Sequence, residues 1–159
     1  MQVEPEKVII RQATVKDVEV IAGFNRAMAL ETENKRLEPA VSRAGVIDLI
    51  KHPEAGFYLV AEISAGTTLE IAGALMVTPE WSDWRDGYFW WIQSVYIVPA
   101  HRRAGLYRRM YQKVKELAGE RPDIRGFRLY VERGNHAARK VYERLGMTVT
   151  SYRIYEEAR

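Results

Sequence analysis

Two short stretches hold residue types that can bind an anion and move a proton. The first is Val95-Tyr96-Ile97-Val98-Pro99, followed by Arg102-Arg103-Ala104-Gly105-Leu106-Tyr107-Arg108. An apolar run ends at a proline, a basic loop follows, and an amphipathic segment begins. The first amides of a helix have no partner within it and carry the positive end of its dipole. That end attracts anions. Gly105 removes a side chain where a phosphate would come close, and Arg102, Arg103 and Arg108 surround it with charge. The element therefore asks for a phosphate-bearing ligand. Taken alone, Arg-x-x-Gly is equally a basic helix start. No Gly-x-x-x-x-Gly-Lys-[Ser/Thr] occurs, and no Gly-x-Gly-x-x-Gly follows a strand, which argues against the common nucleotide loops.

The second stretch is Asn135 to Gly146, with Ala138 and Tyr142 between them. A phenol has an ordinary pKa of about 10, so Tyr142 keeps its proton at neutral pH and can act as a general acid. The other reading is a core tyrosine on a stripe with Ala138, Val141 and Leu145. Asn135 can cap its helix, bind a ligand, or do both. A third cluster is aromatic. Trp81, Trp84, Trp90 and Trp91 crowd together near Glu80, Asp83 and Asp86. Adjacent Trp90 and Trp91 point to opposite faces of a strand. Trp81 and Trp84 can form an aromatic wall for a cation, or a fold-back or dimer contact with equal weight. His52, His101 and His136 lack metal-ligand spacing, and no metal site is expected.

The elements that must position these groups follow from periodicity. Residues 7–13 read as a strand. Thr14 and Asp17 look like a capping pair for a helix over 15–30. Pro39 opens a second helix with Val41, Ala44, Ile47 and Ile50 on one side. Strands are expected at 57–63, 69–77 and 88–98, with a tryptophan-rich loop at 80–87. A third helix starts near Ala104, with Leu106, Met110, Val114 and Leu117 on its stripe. A strand at 127–131, a helix capped by Asn135 and closed at Gly146, and a final strand at 147–155 complete the order β-α-α-β-β-β-α-β-α-β. With no linker or repeat, residues 1–159 read as one α/β domain.

Composition narrows the classes further. The chain has 159 residues, 47% of them hydrophobic and 28% charged, in the range of a globular domain. It has no cysteine, which removes disulfides, thiolate catalysis and cysteine-bound zinc. That usage fits a cytoplasmic protein, as does a start without a secretion-signal pattern. No apolar run is long enough to cross a bilayer, so no membrane partner is expected. The net charge of +3 is small for a nucleic-acid binder. Such a domain, using the arginine cluster, stands as a lower-ranked rival.

At these residues the chain resembles the GNAT N-acetyltransferases. Val95-Tyr96-Ile97-Val98-Pro99 with Arg102-x-x-Gly105-x-Tyr107 is similar to their first signature, and Asn135-x-x-Ala138-x-x-x-Tyr142-x-x-x-Gly146 to their second. Ile10-Arg11-x-Ala13-Thr14-x-x-Asp17 looks like their usual opening. One position departs: Tyr107 stands where the family has glycine or alanine. The resemblance implies a GNAT-type fold, a mixed and mostly antiparallel sheet with flanking helices, splayed between the fourth and fifth strands. It implies acetyl-CoA as cofactor, its pantetheine arm along Val95, Tyr96 and Ile97. The diphosphate would lie on the amides of Arg103, Ala104, Gly105, Leu106, Tyr107 and Arg108, beside Arg102, with Asn135 and Ala138 on the second signature. It implies direct acetyl transfer to a primary amine of a small molecule or peptide, without an acyl-enzyme.

In that reading Tyr142 is the acid. Glu31 is the first choice of base, near the acceptor site, with Glu33, Glu80, Asp83, Glu132 or a water chain as options. Trp81 and Trp84 join Glu31 on the acceptor side. A homodimer is compatible with the family. The alternative on the same fold is a non-catalytic acyl-CoA sensor or interaction module, separated by thiol release with an amine panel.

Overall fold

Thr14 sets the first turn of the chain. Strand β1 (Lys7–Gln12) leads into it, and the Thr14 hydroxyl accepts from the Lys16 N–H while the Thr14 N–H donates to Asp17 Oδ2 at 2.8 Å. This reciprocal capping opens a short 3-10 turn that continues as helix α1 (Val18–Glu33). Asp17 is buried, and Arg11 donates to both its oxygens at 2.9 Å and to Glu62 at 3.0 Å. Burial opposes the Asp17 charge, but the hydrogen bonds from Arg11 and Thr14 outweigh it and hold the carboxyl below its ordinary pKa. Helix α1 ends where Asn34 adopts φ 51°, and its N–H returns to the last carbonyls.

The computed structural model describes residues 6–159. They form two compact units, one up to Leu129 and one over Tyr130–Arg159. The first unit adds helix α2 (Pro39–Lys51), strands β2 (Phe57–Ala65), β3 (Thr68–Ser82) and β4 (Gly87–Ile97), helix α3 (Leu106–Gly119) and strand β5 (Ile124–Leu129). The sheet order is β1-β2-β3-β4-β5, antiparallel except for the parallel pair β4 and β5. A parallel pair needs a crossover, and α3 supplies it.

Both faces of the sheet are covered. Tyr58, Val60, Ala74 and Tyr96 pack with Val18, Ile21, Ala22 and Phe24 of α1 and Val46 of α2. The Phe24 and Tyr96 rings lie 5.0 Å apart. The alternate residues Leu59, Leu75, Val77 and Ile92 point the other way and are also buried, as are Leu106, Met110 and Val114 of α3. Phe57 meets Trp90, and Tyr111 of α3 meets Phe127 of β5, both edge to face.

The second unit contains helix α4 (His136–Arg144). The Asn135 side chain accepts from the Ala138 N–H at 3.1 Å. At its other end Gly146 has φ 93°, its N–H donates to Glu143 O, and the Met147 N–H donates to Tyr142 O. Both closing bonds of a Schellman motif are present, as the glycine led one to expect.

Four local expectations change. The covered side of α2 carries Ser42, Val46, Ile47, Leu49 and Ile50, while Ala44 is exposed and Val41 is 69% exposed. The Ser42 hydroxyl donates to Ala22 O and fixes that rotation. Strand β3 runs on through Trp81, which pairs with Tyr88, so the expected loop shrinks to residues 83–86. Strand β5 starts three residues before its expected position because Ile124 and Gly126 already pair with Tyr88 and Phe89 of β4, with Arg125 bulged between them. No strand forms over 147–155. That segment has the composition of a strand, but a strand exists only where a neighbouring backbone completes its ladder, and none does so there.

Candidate functional site

Strand β4 carries the site along its second half. The parallel ladder to β5 runs from Tyr88 to Ile92 and stops at Leu129, while β4 continues to Ile97 against β3 alone. The sheet is therefore open on the β5 side of Gln93–Ile97. At that point the β3 register jumps: Met76 faces Gln93 but Ala74 faces Tyr96. Ser94 and Val95 together oppose the single residue Leu75, which makes a β-bulge. Ser94 pays for it with φ 50°, a conformation that costs a non-glycine residue about 1–3 kcal/mol. A bulge leaves one residue out of the ladder and rotates the side chains after it by one place. Gln93 and Tyr96, three apart, consequently share a face.

Beyond Ile97 the chain makes a 3-10 turn over Pro99–His101 and enters α3 at Leu106. The connecting loop is twisted twice, with φ 62° at Arg103 and 76° at Gly105. A Cβ built on Gly105 meets nothing within 4 Å, so space lies open over the helix start. Among the described residues no side chain caps the first amides of α3. Left-handed residues next to uncapped amides make a concavity suited to an anion. Among the described residues Arg103 and Arg108 enter no salt bridge.

Arg102 is placed differently. Its Nε donates to Ile97 O at 2.9 Å, and its two terminal nitrogens donate to Glu31 Oε1 at 2.6 Å and Oε2 at 3.0 Å. The guanidinium lies 5.5 Å from the Tyr96 ring centre. Hydrogen bonding from Arg102 lowers the Glu31 pKa, and the same bond raises that of Arg102. Glu31 is thus joined to the start of the loop before α3. The sequence separation of 71 residues hid this pair, and no local pattern could have revealed it.

The aromatic cluster divides. Trp90 is buried, Trp81 stacks edge-on against Tyr88 at 5.1 Å, and Trp84 is 83% exposed at the hairpin tip. Arg125 donates to the carbonyls of Arg85, Asp86 and Pro122 and fastens that tip to β5. On the face shared with Gln93, the Gln93 amide donates to Thr78 at 2.6 Å, and Arg128 donates to Glu80 at 2.6 Å while lying 3.7 Å over the Phe89 ring. Sequence reading missed Gln93, Thr78, Phe89 and Arg128; only strand register brings them together. A cavity of about 210 Å³ lies at the other end of β4, lined by Phe57, Tyr88, Trp90 and Arg121 among others.

In the second unit, Tyr142 stands on α4 with Ala138 one turn before it and Asn135 at the cap. Burial pushes the Tyr142 phenol above its ordinary value, which keeps it protonated. No group of three metal-ligating side chains occurs among the described residues, and no helix among them is long and apolar enough to cross a membrane.

The family model described as Acetyltransferase (GNAT) family matches residues 24–147. No curated protein matches the chain. Among solved structures, a possible acetyltransferase from Clostridium difficile 630 is 38% identical, with TM-score 0.84, over 95% of this chain and 97% of that one. An aminoglycoside N-acetyltransferase, AAC(6')-Iy, solved in complex with CoA, is 15% identical with TM-score 0.78, covering 100% of this chain and 99% of that one. A GCN5-related N-acetyltransferase from Ralstonia eutropha JMP134 is 17% identical with TM-score 0.73, over 95% and 99%. The last two share the fold.

Proposed function

Because the chain belongs to the acetyltransferase (GNAT) family, we propose that it binds acetyl-CoA and passes the acetyl group directly to a primary amine of a small molecule or peptide. One observation carries the reading. Backbone strain stands at both ends of a would-be cofactor track: at Ser94, where the sheet opens, and at Arg103 in the loop beyond the strand. Between Ser94 and Val98 the strand spans about 13 Å at the usual rise per residue. Strain at two points flanking an open edge is a cost that binding would justify.

The fit to acetyl-CoA is chemical. The amides from Arg103 to Arg108 present N–H donors to a diphosphate, with the Arg103 and Arg108 charges beside them. Tyr107 keeps its ring near Tyr111, 6.1 Å away and parallel, so the bulk at that position stacks along α3. Val95 and the Ile97 N–H face the unpaired side of β4 and can meet an amide-bearing arm, with Tyr96 between them turning its backbone toward β3; the Ile97 carbonyl already accepts from Arg102. When bound, acetyl-CoA supplies an activated thioester carbonyl. The amides freed at the Ser94 bulge are suited to hold a developing oxyanion. For Asn135, Ala138 and Tyr142 of the second unit the family resemblance supports roles in cofactor contact for the first two and in protonating the departing thiolate for Tyr142.

With no cysteine in the chain, the amine attacks without a cysteine acyl-enzyme. It must arrive neutral. Glu31 is held by Arg102, whose hydrogen bond lowers its pKa and weakens it as a base, so the ammonium proton leaves through water. Trp81 and Trp84 with Glu80, Asp83 and Asp86 favour a cationic acceptor. Calorimetric titration with acetyl-CoA, followed by thiol release against a panel of amines, tests the reading. Saturable heat and amine-dependent thiol release are expected; no heat at millimolar acetyl-CoA overturns it.

A further inference from the structure

Helix α1 ends without a basic residue in its last turn, although the negative end of a helix dipole favours a cation there. Arg102 supplies one from the far end of the chain. It is bound at three nitrogens: Nε to Ile97 O, and a two-pronged contact to Glu31. Its plane also rests over Tyr96. An exposed ion pair by itself is usually weak. A fork matched to a carboxylate, with a third anchor on a strand carbonyl, is the geometry that makes such pairs matter. Directly after Arg102 come the two left-handed residues, Arg103 and Gly105. A strained loop persists only where its surroundings dictate it, and Arg102 is the side chain that ties its start to both α1 and β4.

We propose that Glu31 and Arg102 form a latch that presets the loop over 103–108, which makes Glu31 a positioning residue for the cofactor and not the proton acceptor. The proposal rests on the reading above that this loop receives the diphosphate. Its consequence is a coupling: the end of α1, on one side of β4, is fixed to the loop that grips the cofactor. Loss of the latch loosens the loop and weakens cofactor binding, while the chemistry proceeds as before.

The test uses the full chain and the variants Glu31→Ala, Arg102→Ala and the double variant. Glu31→Ala should raise the KM for acetyl-CoA about five-fold, leave kcat within about two-fold, and keep the acidic limb of the pH profile. The double variant should be no worse than the poorer single one, because one removed partner already opens the latch. Hydrogen exchange at the Arg109 amide, which donates to Gly105 O, and at the Asn34 and Lys35 amides, which donate to the end of α1, should quicken in Glu31→Ala without any ligand. A fall in kcat of about a hundred-fold at unchanged KM would assign Glu31 to proton transfer and overturn the latch. So would unchanged exchange rates or additive losses. If the unaltered chain binds no acetyl-CoA, the diphosphate reading fails separately, and the exchange rates still decide the latch.

Discussion

Asp17 shows how one carboxylate can hold the start of a fold. It receives both terminal nitrogens of Arg11 and the Thr14 N–H, so removing its charge leaves Arg11 half satisfied. Asp17→Asn should destabilise the protein by about 2–3 kcal/mol in urea unfolding, less than for a fully buried pair because Arg11 is 32% exposed. The folded pKa lies below the ordinary 3.8. Its contribution is therefore complete above about pH 4–5 and fades as pH falls through the folded value. The variant should lose that acid dependence. At the same scale, Tyr142→Phe should lower kcat about a hundred-fold with little change in the KM for acetyl-CoA, read by thiol release. An unchanged kcat would remove Tyr142 from the mechanism.

At the level of elements, the loop before α3 makes the sharper claim. Gly105 has open space around its Cβ position, so Gly105→Ala should cost only backbone strain, about 1 kcal/mol. Gly105→Asn should cost less, since asparagine tolerates positive φ. Gly126 is the contrast: a Cβ there comes within 2.7 Å of the Phe89 ring, which Arg128 already covers at 3.7 Å. Gly126→Ala should destabilise by overpacking, about 1–3 kcal/mol, and disturb the β4–β5 pair.

The same scale explains what could be read in the sequence. The capping of α1, the Pro39 start of α2, the buried β4 and the Gly146 cap each depend on residues within a few positions of one another. The rotation of α2, the early start of β5, the bulge at Ser94 and the latch depend on partners far along the chain. For 147–155, β-branched and aromatic residues suit a strand, but pairing, not composition, decides whether one forms.

For the whole molecule, ligand binding should register as stability. A compound that binds only the folded chain raises its unfolding free energy by about 2.7 kcal/mol at a hundred times its Kd. CoA should shift the melting temperature upward, and Gly105→Ala should shrink that shift more than it lowers the starting value. The family match covers residues 24–147, which include the second half of α1, the sheet from β2 to β5 and α4. The groups assigned to cofactor and acceptor therefore fall within one matched region.

The hairpin of β3 and β4 has a spectroscopic consequence. All four tryptophans of the chain lie on it, at 81, 84, 90 and 91. Excitation at the indole band therefore interrogates this hairpin alone. Trp84 is open to water and Trp90 is 4% exposed, so iodide should quench one fraction of the emission and spare another. An acceptor that settles against the tip would shield the quenchable fraction, giving a label-free signal for ranking amines.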